Sequence, residues 1–361
     1  MGASETLSSK PNSNYIDSQY IVQQKSSSET LGEFFIITQK DTQKKFILKQ
    51  TEFHSSSDFN DGLDSLQKKA VISHPNIIGI DKIKVLSDVG FCSNIYKILW
   101  TAEYFECSLA KELENRKKQH RPFSIMELLT IVKSILSGLF YFEKKKIHHN
   151  CLTSSSIFLD PKDGQCRLLY PDLFGLIPNH SALSIFGKKS EVYIAPEVLS
   201  LMKENMSKFN WNIQSKALKS DIFVLGMLIL ELGTLFSLQL AYNWDKFIIV
   251  RKEIDKSLIH IKEIYGEAFY RFISKMLDYS PQLRTSFGLL LQEVEILINI
   301  ESYKQKPMGI EKSPDRTHEK KIALLAESTN LLRDCMYKKN KIGQPQIEGV
   351  SPTKKSLFSL M

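Results

Sequence analysis

His149-Asn150-Cys151-Leu152-Thr153-Ser154-Ser155-Ser156-Ile157-Phe158-Leu159 is a hydroxyl-rich polar loop that runs straight into a β-prone apolar triplet. It sits inside a strand-and-loop patch, Ile147–Ile177, that interrupts otherwise helical territory. Upstream, Ser124–Phe142 repeats its apolar residues at helical spacing, and downstream the helical pattern resumes from Ser220 to about Ile300. Nearer the start the texture is different. Tyr20–Gln23, Phe34–Thr38 and Lys45–Lys49 are short β-prone runs, the polar segment Glu52–Lys69 reads as a short helix, and two more strands fall near Ile77–Val85 and Tyr96–Tyr104. A small β-rich part followed by a larger helical part gives an α+β, bilobal architecture, with lobes of about 18–105 and 106–300. The Ser-rich residues 1–17 read as a disordered lead, and residues 301–361 as a basic, partly helical or disordered tail. In that tail Ile322, Leu325, Leu332 and Met336 share one helical face.

Composition narrows the function. The chain has 361 residues, 42% hydrophobic and 24% charged, which are ordinary globular values. Its 48 basic and 40 acidic residues leave a net charge of +8, but 12 basic and 7 acidic residues lie in 301–361, so +5 belongs to the tail. A nucleic-acid groove across the fold is therefore not expected. The five cysteines, Cys92, Cys107, Cys151, Cys166 and Cys335, form no CxxC pair, so neither a disulfide framework nor a zinc site is expected. No basic-then-apolar leader opens the sequence, and a cytoplasmic setting is the expectation. Ile222 to Leu240 opens with nine apolar residues but carries Glu231, Thr234, Ser237 and Gln239, which favours a buried core helix over a membrane span.

Several strings, in fixed order over about residues 20–298, resemble the eukaryotic protein kinase domain. Phe46-Ile47-Leu48-Lys49 is similar to the strand whose lysine grips ATP phosphates, and His74-Pro75-Asn76-Ile77 to the turn after the regulatory helix. His149–Leu159 resembles the catalytic loop, Phe174-Gly175-Leu176 the start of the activation segment, and Ala195-Pro196-Glu197 its close. Asp221 opens the apolar helix and Arg284 lies in the last helical region. The resemblance implies a kinase-like fold with a β-rich N-lobe and a helical C-lobe.

Phosphoryl transfer needs phosphates cradled by backbone N–H groups, a lysine held by a helix glutamate, two metal-binding side chains and an aspartate that takes the hydroxyl proton. At the matching glycine-loop positions the chain reads Ser27-Ser28-Glu29-Thr30-Leu31-Gly32-Glu33-Phe34, keeping only Gly32. Glu29 would set a carboxylate near the phosphates, a repulsion of about 1 kcal/mol at 4 Å in water and about 4 kcal/mol near a protein surface. The glutamate position becomes Ser65, with Asp64 beside it, and Ile47 replaces a small alanine under the adenine. Cys151 stands at the catalytic aspartate and Ser156 at the metal-binding asparagine. For the metal-binding aspartate, either Leu173 takes its place, or Leu173 is an insertion and Asp172 does the job. Glu197, Arg284, Asp221, His149, Phe174 and Ile80 match structural positions of the family.

The expected function is thus a catalytically impaired kinase-like domain, a pseudokinase acting as a scaffold or allosteric partner in signalling. The alternatives are a divergent active ATP-dependent Ser/Thr kinase and a nucleotide-binding switch without turnover. No cofactor is required by this reading. An ATP site would rest on Lys49, Gly32 and Asp172, and magnesium lacks its usual ligands. The partner expected is a protein, such as an active kinase or its substrate. Cys151 beside His148 and His149 has neighbours that would acidify a thiol, but in its loop it reads as a small apolar side chain. Ser313-Pro314 and Ser351-Pro352 are candidates for proline-directed phosphorylation. Met1-Gly2-Ala3-Ser4-Glu5-Thr6 fits an N-myristoylation pattern at Gly2, and with the basic tail it gives a second expectation, peripheral membrane contact.

Overall fold

The computed structural model describes residues 18–28, 32–89, 94–147, 149, 152–169, 192–205 and 219–305. Its first part is a five-stranded antiparallel sheet built from β1 (Tyr20–Ser28), β2 (Gly32–Gln39), β3 (Lys45–Phe53), β5 (Ile80–Val89) and β6 (Asn94–Glu103), in the order β1-β2-β3-β6-β5. The run Phe34-Phe35-Ile36-Ile37 explains why β2 lies inside it. Side chains alternate faces along a strand, so Phe34 and Ile36 enter one apolar cluster with Ile47, Trp100 and Ala102, while Phe35 and Ile37 enter another with Phe46, Leu48 and Leu99. β2 is apolar on both sides because both sides are covered.

Helix α1 (Ser56–Ala70) lies against the first cluster through Leu66. It begins later than the polar segment suggests. Glu52 and Phe53 continue β3, paired with Lys97 and Tyr96 of β6, and Glu52 bonds the Lys97 ammonium at 3.1 Å. The helix starts where the Ser55 hydroxyl accepts the Asp58 N–H at 3.2 Å, satisfying one of the first-turn donors.

The helical lobe is built on α2 (Leu109–Gln119), α3 (Ile125–Lys144), α4 (Pro196–Asn205), α5 (Ser220–Thr234), α6 (Arg251–Tyr265), α7 (Glu267–Ser274) and α8 (Phe287–Gln305). Helix α3 opens with a capping box in which the Ser124 hydroxyl and the Glu127 carboxylate exchange backbone N–H bonds. It is the one described helix long and apolar enough to cross a bilayer, yet 56% of that stretch is buried in the lobe. Every residue of α5 except Glu231 is buried, which makes the apolar run from Ile222 a core helix. Neighbours pack tightly on it: a Cβ on Gly226 would come within 2.9 Å of Leu277 Cδ2. Helix α8 continues past Ile300 to Gln305.

A second sheet sits where the lobes meet. Its order is β4 (Ile77–Ile78), β9 (Cys166–Leu169), β8 (Ile157–Leu159), β7 (Cys107–Ser108). β4 follows α1 in the chain, yet it pairs in parallel with β9, Ile77 opposite Leu168 and Ile78 opposite Leu169. A short pair, β10 (Tyr242–Asn243) and β11 (Ile248–Ile249), lies between α5 and α6.

Candidate active site

The loop from His149 is held by its backbone and by one imidazole. The His149 N–H donates to Asp221 Oδ2 at 2.9 Å. Asp221 is presented from the first turn of α5, just after Lys219, whose φ of 71° places it in the left-handed region. The His149 ring is buried, 6.1 Å from the Phe142 ring, and its Nε2 faces the Leu169 carbonyl at 2.9 Å. A carbonyl only accepts, so Nε2 carries the proton, and Nδ1 is buried with no partner among the described residues. Burial lowers the ring's pKa to about 4 despite the Leu169 bond.

Ser156 lies in a 3-10 turn, Ser154–Ser156, and is buried. Its hydroxyl donates to the Thr153 carbonyl at 2.9 Å and accepts the Thr153 N–H at 3.0 Å, while Thr153 Oγ1 accepts the Ser156 N–H at 3.1 Å. The side chain at the expected metal-binding position is therefore bonded to its own turn. Cys151, Asp172, Phe174, Glu29 and Gly2, and the expected tail helix Ile322–Met336, lie outside the described residues.

Lys49 is buried in β3, opposite Trp100 of β6. The position a Cβ would take on Gly32, whose φ is +64°, lies 3.6 Å from the Lys49 ammonium, so the β2 end of the first hairpin rests on that side chain. Helix α1 contains no glutamate, and its acids Asp58, Asp61 and Asp64 are exposed. Asp64 bonds Lys68 one turn along at 2.5 Å, and Ser65 is half-buried. Ile47 is buried in the cluster that holds Phe34, Ala102, Phe105 and Leu169, so its bulk fills space between strands.

Glu197 and Arg284 are brought together as a two-pronged ion pair, Nη1 to Oε1 at 2.6 Å and Nη2 to Oε2 at 2.7 Å. The other three guanidinium N–H groups reach the carbonyls of Asp278 (2.7 Å), Lys219 (3.0 Å) and Tyr279 (3.3 Å), so all five donors are used. The guanidinium carbon lies 5.0 Å from the Phe223 ring centre, and Arg284 is 1% exposed. Glu197 follows Pro196 in the first turn of α4, where the helix dipole favours a carboxylate.

Two tyrosines that no motif pointed to fix the stretch before Pro196. Tyr242 OH accepts the Ile194 N–H and donates to the Ile194 carbonyl, both at 2.9 Å. Tyr193 OH donates to Glu231 Oε2 at 2.8 Å and accepts the Leu238 N–H at 3.2 Å, and Lys117 binds the other Glu231 oxygen at 2.8 Å. Burial raises both phenol pKa values, so both remain neutral. The one polar residue of α5 that escapes burial, Glu231, was the only trace of this arrangement in the sequence.

The model of the protein kinase domain matches residues 28–294. The chain is 22% identical over 295 residues to "Probable serine/threonine-protein kinase nek1" of Dictyostelium discoideum, covering 79% of this chain and 58% of that protein. It is 28% identical over 216 residues to the "TBC domain-containing protein kinase-like protein" of Homo sapiens, covering 55% and 23%. The "Light-sensor Protein kinase" of Ceratodon purpureus is 25% identical over 193 residues, covering 46% and 13%. The chain thus spans less than two thirds of the length of each of these relatives.

Proposed function

Because the chain belongs to the protein kinase domain family, with its model matched over residues 28–294, we propose that it is a pseudokinase, a kinase fold kept for binding a protein partner and not for phosphoryl transfer. The observation that carries this reading is Ser156, buried and closed on Thr153 where a metal-binding side chain would have to project. A serine hydroxyl engaged in this way is a poor ligand for magnesium, which prefers carboxylate and phosphate oxygens.

The lysine side of the site points the same way. Lys49 lies under Gly32, and the acidic residues of α1, Asp58, Asp61 and Asp64, are all exposed. Ile47 occupies the position where a small residue would admit a purine. Among the described residues, Lys49, Ile47 and Ser156 do not make a site that fits a magnesium–nucleotide complex. The framework that shapes a kinase helical lobe, in contrast, is represented among the described residues by the Asp221–His149 and Glu197–Arg284 contacts. In this reading the partner is a protein in a signalling assembly, and Gly2 with the basic tail would hold the chain at a membrane face.

Thermal unfolding of the purified full chain tests the nucleotide half of the proposal. Adding millimolar ATP, with or without magnesium, is expected to leave the melting temperature unchanged. Ligand at about 100 times its Kd stabilises a protein by about 2.7 kcal/mol, so a magnesium-dependent rise of several degrees would overturn the reading.

A further inference from the structure

The turn His74-Pro75-Asn76, between α1 and β4, ties the small lobe to the large one. Asn76 is buried, its side-chain amide donates to the Cys166 carbonyl at 3.0 Å and the Gln165 side chain at 3.3 Å, and its carbonyl accepts the Leu168 N–H at 2.8 Å. The turn lies directly on α3: a Cβ on Gly138 would be 3.2 Å from the Asn76 carbonyl oxygen and 2.7 Å from Leu168 Cδ1. Arg167 donates to the Pro75 carbonyl and is held by Asp160 at 3.0 Å and Asp163 at 3.5 Å.

The His74 imidazole closes this turn. Its Nδ1 accepts the Asn76 N–H at 3.1 Å, which leaves the ring proton on Nε2, facing Ser137 Oγ of α3 at 3.4 Å. The ring also rests 5.0 Å from the Tyr141 ring of α3. A second ring proton would sit on Nδ1 and point at the Asn76 N–H, setting donor against donor where a hydrogen bond had been. The charged surroundings oppose it as well. Arg167 acts on the imidazole from β9, and its counter-ions Asp160 and Asp163 come from the β8–β9 turn; just past the end of α3, Lys145 lies over the Tyr141 ring at 5.8 Å, while Ser137 of α3 is uncharged. Burial first and Arg167 second hold the His74 pKa below its ordinary 6.5.

We propose that His74 is a proton-sensitive latch between the lobes: neutral, it caps the Asn76 turn and holds β4 on β9, and protonated, it releases both. The sign follows from the direction of the shift. A base whose pKa is lowered by folding contributes its full stability above the ordinary value of 6.5, and that contribution is lost as pH falls below it. Release reaches the catalytic-loop region through one strand, because Ile78 pairs with Leu169 and the Leu169 carbonyl is the acceptor for His149.

Amide hydrogen exchange on the full chain, corrected for intrinsic rates, tests the latch. Between about pH 7.5 and about pH 5.5 the amides of 77–78 and 166–169 are expected to lose protection by up to about tenfold, the limit one unit below the ordinary pKa. His74→Asn keeps a side-chain oxygen able to accept the N–H two residues on, but does not titrate, so the same amides should lose up to about tenfold less protection than in wild type, keeping only the loss that His149 gives both proteins. Equal loss in both proteins, or no loss in wild type, overturns the proposal. If His74→Asn does not fold, an NMR titration of the His74 Cε1 proton in wild type decides. A midpoint below 6.5 supports the latch, and one at or above 6.5 overturns it.

Discussion

Arg284→Ala is expected to destabilise the protein by about 3–5 kcal/mol, a fall in melting temperature of roughly 10 °C. The cost arises from what remains. Removing the guanidinium strands the Glu197 carboxylate in a half-buried site and leaves the carbonyls of Asp278, Lys219 and Tyr279 without their donors. Glu197→Ala should cost a comparable amount, since the buried guanidinium then loses its counter-charge. Lys118→Ala supplies the contrast. Lys118 pairs with Glu114 one turn away at 2.6 Å, but both side chains are about two-thirds exposed, and water screens such a pair so that it contributes little. Small, equal effects from all three would contradict the assembly of the helical lobe around this pair.

Acidification should remove a comparable amount through His149. Its folded pKa of about 4 lies below the ordinary 6.5, so the unfolded chain takes up a proton between those values while the folded chain resists it. Stability from this group is therefore complete above 6.5, declines as pH falls, and levels off near 4, for a total of about 3 kcal/mol. His149→Phe retains a ring beside Phe142 but lacks both the titration and the bond to Leu169. It is expected to be less stable than wild type at neutral pH, with the gap narrowing as pH drops from 6.5 towards 4. Denaturant unfolding of both proteins across that range reads the effect directly, and parallel curves would contradict the buried, neutral imidazole.

Much of the fold was legible because apolar spacing reports burial. Phe34–Ile37 and Ile222–Leu230 lie in β2 and α5, fully covered. The misjudged start of α1 has a plain cause. Glu52 reads as the start of a polar helix, but it pairs with β6 across the ladder, as Thr51 does, and meets a lysine 45 positions on. The site was legible only through resemblance. Glu197 and Arg284 are 87 residues apart, and no local pattern marks them as partners. Tyr193 and Tyr242 carried less signal still, since their bonds reach groups 38 to 48 positions away, and the motif at His74 and Asn76 did not show which atoms those side chains would bond. The substitution at Ser156 was visible in the sequence, whereas its closure on Thr153 depends on backbone dihedrals that composition does not reveal.

The central claim is that this kinase fold does not transfer phosphate. The direct measurement is incorporation of labelled phosphate from γ-labelled ATP by the purified full chain, with magnesium and with manganese, into itself and into generic protein substrates. The account predicts incorporation no greater than that of Lys49→Met under either metal. Metal-dependent incorporation by wild type that disappears in Lys49→Met would contradict it.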